Sequence, residues 1–134
     1  MPVRRYYEFD AWKLADAFKS SVFALLRGSP EARSDRRFRT QLAESARGPT
    51  KHIAEGFLRK SPATFIQYLD YAISSLGEAR DHLRDGVQLG YFDAEGCQEA
   101  FRLCRRCMSA CLELKRSQER YIRDRQCQKT SRIQ

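Results

Sequence analysis

Two histidines, five cysteines and a scatter of carboxylates are the side chains in these 134 residues that could carry chemistry. His52 stands three residues before Glu55, and Glu78 four before His82, so each pair can share one helical face. A carboxylate-bridged metal in a helical core needs a Glu from each of two helices and a Glu-x-x-His from each of two more, a set this chain does not contain. If the two pairs lie on consecutive antiparallel helices, Glu55 comes about six residues before the turn and Glu78 about seventeen after it. At ~1.5 Å per residue the pairs are then offset by roughly 15 Å, so no metal site is expected. Cys104-x-x-Cys107 has the spacing of a zinc knuckle or redox motif but no second ligand pair, and core packing is its expected role. With no nucleophile elbow and no glycine-rich phosphate loop, catalytic residues and cofactors are not expected.

Charge is the stronger signal. Lys plus Arg number 25 against 17 Asp plus Glu, a formal charge of +8. Residues 31–60 hold eight basic and four acidic side chains and residues 113–134 seven and three, whereas residues 61–112 hold five and seven. Arg33, Arg36, Arg37 and Arg39 fall where a helix should begin, and cations there oppose the helix dipole. Arg47, Lys51, Arg59 and Lys60 continue the series. These eight residues are the expected contacts to a polyanion, RNA or DNA, or to an acidic protein partner. Tyr6 and Tyr7 with Tyr68 and Tyr71 could stack on bases.

Four amphipathic helices must position these groups. Phe9, Trp12, Ala15, Phe18, Val22, Leu25 and Leu26 recur at helical spacing, predicting a first helix from a cap at Asp10 to Arg27, ended by Gly28-Ser29-Pro30. A second, starting near Ser34 or Asp35, carries Phe38, Leu42, Ala46, Ile53 and Phe57, with a kink expected at Gly48-Pro49 and a stop at Gly56. Ser61-Pro62 starts a third that runs to about Leu89, with Gly90 closing it. Beside its core stripe lies a mixed stripe, Tyr68, Tyr71, Ser75, Glu78 and His82, suited to a subunit interface. The fourth, capped by Asp93, repeats Cys97, Cys104 and Cys111 every seven residues beside Ala100, Cys107, Leu114 and Tyr121, a seam of mostly small residues. The expected fold is all-α, an up-down-up-down bundle over residues 10–122, with an arm at 1–9 and an irregular polar tail at 123–134. No apolar run reaches the ~20 residues of a membrane span, and the start of the chain lacks a signal-peptide pattern. With thiols expected to stay reduced, a cytoplasmic protein with no membrane contact is the expectation.

At Ile53-Ala54-Glu55-Gly56, followed by Arg59, Ser61 and Phe65, the sequence resembles the bacterial family named for the 23S rRNA intervening-sequence protein. Tyr68-Leu69, Ala72, Ser75-Leu76, Glu78, Leu89-Gly90-Tyr91 and the opening Phe9, Trp12 and Ala15 extend the resemblance from about Phe9 to Tyr121. The chain departs from the family pattern at His52, where Asn is usual, and at Ser74, where Gly is usual. The resemblance implies a left-handed bundle assembling into a cyclic homo-oligomer, commonly a pentamer. It also implies kinship with an accessory bundle of diversity-generating retroelements that binds reverse transcriptase and nucleic acid. It carries no catalytic residue set.

Overall fold

The computed structural model describes residues 3–133, and every regular element among them is helical. Five α-helices follow in order: α1 (Asp10–Arg27), α2 (Pro30–Ser34), α3 (Arg36–Leu58), α4 (Pro62–Gln88) and α5 (Gln98–Ile133). Single 3-10 turns at Tyr6–Glu8 and Glu95–Cys97 precede α1 and α5. α1 packs against α3 and α5, and α4 packs against the same two, so the four long helices enclose one core. Among the described residues no helix is long and apolar enough to cross a membrane.

The apolar stripes bury as their spacing requires. Phe18, Val22, Leu42, Ile53, Leu69, Leu76 and Leu83 are fully enclosed, and α5 contributes Cys97, Ala100, Cys104, Cys107 and Cys111. All five cysteines are free thiols, four of them buried and Cys127 exposed. Near the start of α1 the core position is Ala11, while Trp12 is half-buried under the edge of the Tyr6 ring at 5.7 Å. Tyr6 and Phe9, before α1, thus pack onto the bundle, with Phe9 edge-on to Phe57 at 5.4 Å. Residues 1, 2 and 134, which complete the expected arm and tail, lie outside the described residues.

Helix ends account for most departures from expectation. Asp10 is the first residue of α1 rather than its cap; Phe9 takes the cap position with no side-chain bond. Ser29 accepts a hydrogen bond from the Ala32 amide at 3.2 Å with Pro30 in the first turn, which creates α2, a fifth helix where only a terminator was expected. Ser61-Pro62 starts α4 by the same device, with the Thr64 amide 3.3 Å from the Ser61 hydroxyl. Asp35 caps α3 through the Phe38 amide at 3.2 Å, and its other oxygen accepts from the Tyr91 hydroxyl at 2.7 Å. That bond ties the start of α3 to the turn after α4. The Asp35 carboxyl is held below its ordinary range by these two donors, Tyr91 first, and the Tyr91 phenol is raised in turn.

α3 stays helical through Gly48 and Pro49, both buried. Gly56 does not end it. The helix runs to Leu58, and the residue in the left-handed region is Lys60, at φ 59°. Gly56 is needed for proximity instead: a Cβ there would stand 2.5 Å from the Tyr68 Cβ and 3.0 Å from the Phe65 ring. Gly90, at φ 80°, does close α4, with the Tyr91 amide bonded to the Gly86 carbonyl at 2.8 Å and the Gly90 amide to that of Val87 at 3.1 Å.

Beyond Tyr121 the expected irregular tail is helix, continuing α5 to Ile133. Residues 123–132 are exposed, so the core does not impose this geometry. The segment contains no Gly or Pro and is rich in Arg, Gln and Lys, which favour helix, and the Arg125 guanidinium bonds the Tyr121 hydroxyl one turn back at 3.1 Å.

Candidate nucleic-acid interface

All eight basic residues singled out above are exposed, and among the described residues none has a carboxylate within ion-pair distance; the described pairs are Lys19–Asp16, Arg84–Asp81, Arg102–Glu99 and Lys115–Asp70. They do not form one compact patch. Arg36 to Arg59 covers the 23 residues of α3 and its cap, about 35 Å of helix rise, with Arg33 in α2 at one end and Lys60 at the other. The strip is therefore long rather than compact.

Two of the eight are engaged in the fold. Arg33 donates to the carbonyl of Leu26 at 3.2 Å and to that of Arg27, at the C-terminal end of α1. Arg39 donates to the Arg33 carbonyl at 3.0 Å, the C-terminal end of α2. Here the cations bond carbonyls at helix C-terminal ends and sit at the favourable pole of the dipole, the reverse of the cost read from sequence. With Arg27 and Arg47 they line a cavity of about 370 Å³ between α1 and α3, and Arg47 lies 4.9 Å over the Phe23 ring. Arg36 and Arg37 have no such engagement and face water. Arg59 rests over the Tyr68 ring at 5.7 Å, and Lys60 borders a separate hollow near Phe9 and Tyr121.

The residues expected at a subunit interface lie along the outer edge of the α3–α4 seam. Ser75, Glu78 and His82 share a groove of about 530 Å³ with Glu44, Lys51 and His52. Tyr68 and Tyr71 continue that edge, their rings 5.4 Å apart and 6.3 and 5.6 Å from His52. Tyr71 is 43% exposed. His52 Nδ1 is buried with no hydrogen-bond partner. Burial lowers the affinity of this ring for a proton, opposed by the Glu55 charge and reinforced by Lys51. Tyr6, packed on Tyr7 and Trp12, is not arranged with this aromatic group. Among the described residues no three His, Cys, Asp or Glu side chains gather as metal ligands.

Cys104-x-x-Cys107 belongs to the core. Burial raises the Cys104 thiol, and a bond with Cys111 followed by burial raises that of Cys107. The Cys107 thiol donates to the Ala11 carbonyl at 3.5 Å.

What the sequence reading missed lies on the other side of α4. Arg80, Arg84, Arg102 and Arg105 line one cavity between α4 and α5. They come from the stretch in which acidic residues outnumber basic ones, so net charge along the chain concealed them. The usable signal was periodicity, since Arg80 and Arg84 are one turn apart, as Arg102 and Arg105 are.

A family model described as 23S rRNA-intervening sequence protein matches residues 7–113, from the 3-10 turn before α1 to the middle of α5. No curated protein matches the chain.

Proposed function

The chain belongs to the 23S rRNA-intervening sequence protein family, and from that premise we propose that it is a non-enzymatic, nucleic-acid-binding helical bundle. On this reading RNA or DNA is held through its phosphates, with little regard for base sequence. The observation that carries the proposal is the strip of exposed cations along α3 without carboxylate partners, Arg36 and Arg37 above all. Its length of about 35 Å corresponds to roughly one turn of B-form duplex, so several phosphates meet it at once. Each neutralised phosphate releases counterions, which makes affinity fall steeply with salt.

The finer architecture belongs to the same proposal: a left-handed up-down-up-down four-helix bundle, with α3 bent at Gly48-Pro49, assembling as a cyclic homo-oligomer, a pentamer. The outer edge of the α3–α4 seam is its subunit interface. The exposed Tyr71 supports this, because a second copy would cover it. A ring repeats the cationic strip in every protomer and gains avidity without new contacts. A reducing, cytoplasmic setting fits the five free thiols.

A second reading, a ring that organises an acidic protein, draws on Arg47 over Phe23 and Arg59 over Tyr68. Arginines resting over aromatic rings lose less freedom on meeting a protein partner.

The test is titration of nuclease-treated protein with a labelled RNA at low and high salt, beside light scattering. Binding at low salt that is released at high salt, and a drop of about two in the salt slope for the Arg36→Ala, Arg37→Ala double variant, are expected. No binding at low salt would overturn the nucleic-acid reading, and a protein captured from lysate after nuclease treatment would favour the second. A monomer in scattering would remove the ring.

A further inference from the structure

The cavity between α4 and α5 has a volume of about 750 Å³, within the range of pockets that hold small organic ligands. Its lining combines apolar Val87, Ala94 and Phe101 with Arg80, Arg84, Arg102 and Arg105. Two of these cations are neutralised within the fold. Glu99 grips Arg102 at 2.8 and 2.6 Å, and Asp81 lies 3.7 Å from Arg84 in a loose, exposed pair. Arg80 and Arg105 have no carboxylate within ion-pair distance among the described residues.

Arg80 is the informative one. Its Nε is buried and bonded to nothing, while one terminal nitrogen makes only a long contact of 3.8 Å to the Met108 sulfur, a weak acceptor. A buried guanidinium nitrogen left without an acceptor costs stability, and the terminal nitrogens, one held only by the weak sulfur contact, are the part of this arginine that a ligand in the cavity can meet. The charges also act together. The fields of Arg80, Arg105 and Arg84 all reach Cys104 behind the cavity wall, where they oppose the rise that burial imposes on the thiol. A pocket with apolar side chains in its lining and two unneutralised guanidinium groups suits a molecule with one flat apolar part and one polyanionic part.

We propose that the α4–α5 cavity is a binding site for a nucleoside polyphosphate. The base lies on Phe101 and Val87, and the phosphates meet Arg80, Arg105 and Arg84. The site is on a different seam from the α3 strip and does not depend on the nucleic-acid reading.

Calorimetric titration of the full chain with ATP, adenosine and inorganic tripolyphosphate tests it. ATP should bind saturably, adenosine should not bind, and tripolyphosphate should bind at least about tenfold more weakly than ATP, since base stacking contributes. Arg80→Gln and Arg105→Gln should each weaken ATP binding about tenfold or more while far-UV dichroism stays unchanged, as the loss of a charge-assisted bond predicts. Phe101→Leu should weaken ATP without touching tripolyphosphate, and the Arg36→Ala, Arg37→Ala double variant should bind ATP as the parent does. Absence of ATP binding in the parent would overturn the proposal. So would an equal loss in the double variant, and tripolyphosphate matching ATP would overturn the nucleoside assignment.

Discussion

The two sides of α4 are sealed by opposite means. Towards α3 the seam is tight because side chains are missing: Gly56 lies against Tyr68, and Gly48 lies against Ser75, where a Cβ would come within 2.7 Å of the serine Cβ. Towards α5 the seam is filled by small, polarizable thiols, with Cys104 donating to the Leu76 carbonyl at 3.5 Å. His52, Tyr68 and Tyr71 gather along the outer side of this seam. Near the end of α4 the other seam opens outward into a cleft that arginines line. One seam therefore presents a surface and the other a pocket.

The largest test of this contrast is chemical. A thiol-alkylating reagent should modify Cys127 in the native protein and all five cysteines after denaturation, since burial raises Cys97 and Cys104 and the bond with Cys111 raises Cys107. Protection of the four core thiols should reach on the order of a thousandfold or more, set by opening of the fold. Comparable native reactivity at Cys104 would show that the thiol seam is loose.

Next in size, Gly56→Ala should destabilise by about 1–3 kcal/mol in a urea titration, because the added methyl meets the Tyr68 Cβ rather than a flexible chain end. A loss under about 0.5 kcal/mol would mean that the tight seam can yield. Cys104→Ala, which removes one atom from the softer seam, should cost only about 1 kcal/mol. If it cost as much as Gly56→Ala, the contrast would fail.

The smallest effect concerns pH. The unfolded chain takes up a proton on His52 at its ordinary value of 6.5, whereas burial delays that uptake in the folded state. The contribution of this ring is therefore complete above 6.5 and erodes as pH falls below it. Stability measured between pH 7 and 5 should decline, and His52→Asn should flatten that part of the profile. An unchanged slope in the variant would place the titrating group elsewhere.

Much of this was legible in the sequence because it is local. The stripes of α1, α3 and α4, the start of α3 near Asp35, the Ser61 cap and the Gly90 turn each depend on residues a few positions apart. α2 was equally local, and Ser29-Pro30 is the same signal as Ser61-Pro62, read in one place and overlooked in the other. Gly56 was misassigned for a physical reason: a helix-closing glycine and a helix-contacting glycine look alike until the facing side chain is known. The arginines show the same limit. Arg33, Arg36, Arg37 and Arg39 are adjacent along the chain, yet two of them are spent on helix ends. Arg80 and Arg105 lie 25 positions apart and share one cavity, a convergence that only the packing of α4 on α5 produces.

The bond from the Cys107 thiol to the Ala11 carbonyl joins groups 96 positions apart, where α5 meets α1. Closing a loop of that size costs about 3 kcal/mol more in chain entropy than closing the short α3–α4 connection, since each doubling adds about 0.6 kcal/mol. An order of assembly is expected from this: the α3–α4 hairpin, with its nearby contacts, should form first and the pairing of the first and last long helices last. In stopped-flow measurements, mutations along the α1–α5 contact should then chiefly change the unfolding rate, and those at Gly48 and Gly56 the folding rate.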